Sequence, residues 1–99
     1  MYLHSNEYSR SQNTIPKLIS MLKGENIKDQ LVQSILITLT NFAVLSECHG
    51  EFFPVLHTAY EFIEKKPATI KLQALKLLIN LSCNEDMVPS LLAAQVHTL

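Results

Sequence analysis

Two asparagines thirty-nine residues apart, Asn41 and Asn80, are the residues of this 99-residue chain best suited to recognition chemistry. A carboxamide offers one acceptor and two donors, which matches the C=O and N–H groups of a peptide backbone. Ser34 and Ile37 stand seven and four positions before Asn41, and Gln73 and Lys76 stand at the same offsets before Asn80. On a helix, those spacings stack each set of three side chains along one face. Such a face can hold an extended or helical segment of a protein partner. Alternatively, each amide bonds nearby backbone and fixes packing. The residue types allow both.

Other chemistry finds little support. Cys48, His49, His57 and Cys83 are metal-ligand types, but no C-x-x-C pair is present and Cys83 lies a long way along the chain from the others. Adjacent helical residues point about 100° apart, so Cys48 and His49 are poorly placed to share a proton as nucleophile and base. Cys48 reads instead as a buried thiol beside a surface histidine. Glu47, Glu51, Glu61 and Glu64 look like a solvated helix surface. Glycines only at positions 24 and 50 exclude a glycine-rich phosphate loop. The Asn80-Leu81-Ser82 sequon falls inside an apolar helical pattern, where a glycan has no place. Tyr60, Phe62, Phe52 and Phe53 read as packing aromatics. No catalytic residues, metal site or cofactor are expected.

The elements that must position the asparagines are helices. Ile70–Ser82 places Ile70, Ala74, Leu78 and Leu81 on one stripe. Leu75 and Leu77 widen it, so that most of the circumference should meet protein. Leu31, Ile35, Leu39 and Phe42 match that stripe thirty-nine residues earlier. Val32, Ile35, Ile37, Thr38 and Thr40 are β-branched, and Ile35/Ile37/Leu39 alternates like a strand. The helix-favouring composition around Leu75 decides for a helix in both copies. Ile15–Leu22 and Val55–Ile63 correspond as the preceding helices. A period near forty with several helices per unit is the signature of an armadillo or HEAT solenoid.

Local signals set the expected boundaries. Thr14 should cap the first helix, with Pro16 in its first turn and Gly24 at its end. Asn26 or Asp29 should cap the second helix, which should run to about Leu45. Ser46 should cap a short helix ending before Pro54. Lys65 and Lys66 should face the negative end of the Val55–Glu64 helix, and Pro67 should open the next. Asn84 should cap the last, with Glu85 and Asp86 in its first turn.

Composition fits a single soluble protein domain. Apolar residues make up 47% and charged residues 17%, with a net charge of −1. That balance gives no electrostatic pull toward nucleic acid or anionic lipid. Two cysteines without a framework suit a reducing compartment. No apolar run reaches membrane-spanning length, and no leader pattern opens the chain.

Three words carry a family resemblance: "LTNFAV" (39–44), "LQALKLLINLS" (72–82) and "MVPSLLAAQV" (87–96). They resemble the armadillo repeats of the ARMCX/GASP (armadillo repeat-containing X-linked) group, over about residues 15–96. The resemblance implies an all-α fold, a right-handed armadillo-type α-solenoid of about two repeats. It divides the chain into a polar lead-in over 1–13 and an armadillo domain over 14–99. Repeats would cover about 14–53 and 54–94, with a further one starting at 95–99.

The resemblance also implies that Ser34, Ile37, Asn41, Gln73, Lys76 and Asn80 line a concave, partner-binding groove. Peptide readers of the importin-α kind place tryptophan four residues before the asparagine. Here those positions are Ile37 and Lys76, so binding of nuclear-localisation signals is not expected. The group implies a non-enzymatic scaffold in the cytoplasm or at the mitochondrial outer surface, meeting transport adaptors or receptor tails. The N-terminal anchor of such relatives is missing from these residues. The alternative is self-association as a homo-oligomer through apolar solenoid ends, around Met21/Leu22 and Leu91/Leu92.

Overall fold

In the computed structural model, which describes residues 14–98, every regular element among those residues is helical. Helical residues 14–22 (α1) precede α2 (Asp29–Phe42) and two 3-10 turns (Ser46–Glu51 and Phe53–Val55). Then come α3 (Leu56–Lys65), α4 (Ala68–Ser82), a third 3-10 turn (Glu85–Met87) and α5 (Val88–Thr98). The lead-in expected over residues 1–13 lies outside the described residues.

The β-branched run of α2 is helical because its hydroxyls are absorbed by the helix itself. Ser34 Oγ donates to Gln30 O at 3.1 Å, Thr38 Oγ1 to Ser34 O at 3.0 Å and Thr40 Oγ1 to Leu36 O at 2.7 Å. Each bond runs back one turn, so a polar branched residue costs the helix little. The apolar branched residues Val32 and Ile35 join Leu36 and Leu39 in the core. In α4 the buried set is Ile70, Ala74, Leu77, Leu78 and Leu81. Leu75, expected to widen that set, is 46% exposed.

Two contacts fix how the repeat helices lie. Lys66, just before α4, reaches Asp29 at the start of α2 at 3.6 Å. Near the other end, Asn80 Nδ2 donates to Thr40 O at 3.1 Å. Starts meet starts and ends meet ends, so α2 and α4 run parallel and side by side. The second layer is α3, packed on α4 and α5 through Leu56, Ala59 and Phe62. Phe52 is fully buried, whereas Phe53 is 46% exposed and Tyr60 half-buried. Phe62 also lies 5.7 Å beneath the Lys66 ammonium.

Several boundary signals resolve differently. Thr14 is already helical, so it is not the N-cap. The left-handed residue after α1 is Asn26, at φ 61°, not Gly24; asparagine is among the non-glycine residues that visit that conformation most readily. Lys28 occupies the N-cap of α2 without a side-chain bond, which puts Asp29 inside the first turn. There its charge serves the helix dipole and Lys66 rather than a cap. Helix α2 stops at Phe42, ahead of Leu45. Ser46 lies inside a 3-10 turn whose cap is Leu45; that turn ends at Glu51, before Pro54 as expected, and Pro54 sits in a second such turn. Pro67 and Asn84 sit at the expected N-terminal positions of α4 and the Glu85–Met87 turn.

Candidate partner-binding site

On α2, Ser34, Ile37 and Asn41 are exposed on the side away from Val32, Ile35 and Leu39. On α4, Lys76 is exposed and Gln73 and Asn80 are half-buried, at the same three- and four-residue spacing. Because the helices run parallel, the two sets form neighbouring rows on one open face. The two asparagines are not equivalent, however. Asn80 spends one amide N–H on Thr40 O, an inter-helix bond. That carbonyl lies in the last turn of α2, and Val44 N–H turns to Asn41 O (3.5 Å) rather than to it. Asn80 therefore satisfies a helix-end acceptor of the preceding repeat. It keeps its second N–H and its oxygen for a ligand. The Asn41 side chain makes no hydrogen bond among the described residues, and its whole carboxamide is open.

Beside Asn80 the helix ends enclose a cleft of about 470 Å³, lined by residues including Ala43, Ser46, His49, Cys83 and Asn84. Its wall is a chain of bonds. Asp86 N–H donates to Asn84 Oδ1 at 2.9 Å, which closes the cap. Asn84 Nδ2 lies 3.0 Å from His49 Nδ1, and His49 Nε2 lies 2.6 Å from Ala43 O. A carbonyl only accepts, so Nε2 carries the proton and Nδ1 accepts from Asn84. His49 is 5% exposed, with Phe52 edge-on at 6.3 Å. The surface histidine read from sequence is thus a core strut joining the end of α2 to the start of the next repeat. No local signal marked it, since its partner Asn84 is thirty-five residues away.

The cysteines divide as their surroundings dictate. Cys48 is fully buried, and burial first, then the Glu51 and Glu47 carboxylates, pushes its thiol up. A thiol held protonated is a poor nucleophile. Cys83 is exposed, its Sγ 3.5 Å from Ile79 O. With both His49 ring nitrogens bonded, that residue has no lone pair left for a metal, and no metal-holding cluster occurs among the described residues. No described helix is long and apolar enough to cross a membrane.

The apolar ends are half as expected. Leu22 and Leu91 belong to the core, at 3% and 6% exposure, whereas Met21 and Leu92 are exposed. Leu91 and Leu92 line a groove of about 460 Å³ formed by α3, α4 and α5, together with Leu75, Ile79 and Val88.

An armadillo-like family model matches residues 4–98, nearly the whole sequence. Neither the curated proteins nor the solved structures contain a significant match. The parallel helices thirty-nine residues apart, tied by Asn80 to Thr40, are the stacking that this match requires. The chain belongs to the armadillo-like family.

Proposed function

We propose that the chain is a protein-interaction module that holds a partner segment along the face carrying Ser34, Ile37, Asn41, Gln73, Lys76 and Asn80. Armadillo-like domains are protein–protein interaction scaffolds and are typically non-enzymatic. The observation that carries this reading is the pairing of an open amide at Asn41 with a half-committed one at Asn80, on parallel neighbouring helices. A peptide backbone crossing both rows finds donors and acceptors at each, with Ile37 and Lys76 selecting an apolar and an acidic side chain in turn. The resemblance to the ARMCX/GASP group supports the cytoplasm or the mitochondrial outer surface as its place of work. It also supports transport adaptors or receptor tails as the class of partner.

A displayed random-peptide library selected on the chain tests the face directly. Selected peptides should lose at least tenfold in affinity on Asn41→Ala and on Lys76→Glu, both exposed positions where helicity is kept. Peptides that bind both variants as well as the parent sequence would place recognition elsewhere.

A further inference from the structure

Charge is distributed unevenly along the two long helices. Residues 29–64 and 77–99 contain no lysine or arginine, while Glu47, Glu51, Glu85 and Asp86 all fall in the turns that follow α2 and α4. Neither helix has a basic residue in its last turn, so neither offsets its own negative dipole end. Both ends open on the cleft beside Asn80, whose lining includes Ala43, Val44, Ser46, Asn84, Glu85 and Asp86. The Glu85 and Asp86 side chains are exposed and make no ion pair among the described residues. His49 adds a neutral ring, because its Nδ1 accepts from Asn84 and its Nε2 donates to Ala43 O. Val44 is 71% exposed and gives the cleft an aliphatic lip.

We propose that this cleft receives one lysine or arginine side chain of the partner segment. The assignment rests on the partner-binding reading above and adds the chemistry of one position in the ligand. The apolar stem of such a side chain lies along Val44. Its charged head reaches the Glu85 and Asp86 carboxylates, between two helix C-termini that favour a cation. The walls, drawn from residues 43–49 and 80–86, are all supplied by the described part of the chain.

Asn80 joins the two surfaces, since it lines the cleft and also stands in the row on α4. A backbone held by its free N–H and oxygen can therefore send a neighbouring side chain into the cleft. Lys76, one turn earlier on α4 and outside the cleft lining, opposes a continuous basic run. The fitting ligand carries both signs, with an acidic residue for Lys76 and a single basic one for the cleft. Because the carboxylates are open to solvent, the contact should weaken as salt rises.

Amide-resolved NMR of the intact chain tests the cleft without any selected ligand. Millimolar N-acetyl-arginine amide should shift the amides of residues 43–46 and 83–86 saturably, and N-acetyl-glutamine amide should not. The Glu85→Gln/Asp86→Asn variant keeps side-chain size and the backbone cap, and it should abolish those shifts. Peptides selected from the random library should share one Lys or Arg position. Changing that residue to Gln should cost about tenfold in affinity on the parent chain and nothing on the variant. No saturable shift with the arginine amide, or an equal one with the glutamine amide, would overturn the assignment. The same shifts from magnesium chloride at equal concentration would mean an ion site and overturn it too. Peptides that lose affinity on Asn41→Ala yet share no basic position would sink the cleft and leave the groove standing. Peptides that ignore Asn41→Ala but keep the basic position would uphold the cleft and remove the groove.

Discussion

At the scale of single residues, the bonds around His49 make the sharpest claims. Asn84→Ala removes a cap and leaves His49 Nδ1 without its donor, which should cost about 1–2 kcal/mol in chemical denaturation. The two thiols should separate cleanly: a colorimetric thiol reagent should titrate Cys83 in the native chain and Cys48 only on unfolding. Glu51 gives a pH signature. Burial raises its carboxyl, so the folded state holds the proton more tightly than the unfolded one. That contribution is present below the ordinary carboxylate range and is lost as pH rises through the folded value. Glu51→Gln should therefore melt higher than the parent at neutral pH, with the gap closing in thermal melts as pH falls through the carboxylate range. Glu51 and Asn84 were visible as residue types. Their consequences depend on burial and on a partner in another repeat, which no local pattern reveals.

At the scale of elements, the repeat decided what propensity left ambiguous. Helix α2 was legible only because the α4 segment, rich in Leu, Lys and Gln, recurs at the same offset; its hydroxyls then bond back along the helix instead of forming strand pairs. The boundaries were less legible, because capping competes with charge. Asp29 serves Lys66 and the dipole, and Asn26 serves the left-handed turn, so neither caps α2. The two asparagines give the test at this scale. Asn80→Ala strips an acceptor of its partner across the α2–α4 contact and should cost about 1–2 kcal/mol. Asn41→Ala, on an open face, should change stability by less than about 0.5 kcal/mol. Urea titration of the two variants side by side checks both. Equal losses would mean that Asn41 is as structural as Asn80.

At the scale of the molecule, the parallel stacking was readable from periodicity and the uncovered apolar surfaces only in part, at Met21 and Leu92. Helical wheels place Leu75, Leu77 and Leu91 alike on apolar arcs. Only the packing shows Leu77 and Leu91 buried between neighbours and Leu75 left at the edge. Leu77→Ala should cost about 2–5 kcal/mol by opening a core cavity. Leu75→Ala should cost far less in dilute solution, and differential scanning calorimetry at low concentration would rank the pair.

The parallel alignment of α2 and α4 also sets a metre for whatever binds across them. Packed helices stand about 8–10 Å apart, and an extended chain advances about 3.3 Å per residue, so successive asparagine rows meet every third residue of a stretched partner. Three is odd, and side chains of an extended chain alternate, so consecutive rows read opposite sides of it. A helical partner, rising about 1.5 Å per residue, would keep a slower beat of roughly six. The spacing of required positions in a selected ligand therefore reports its conformation before any complex is solved.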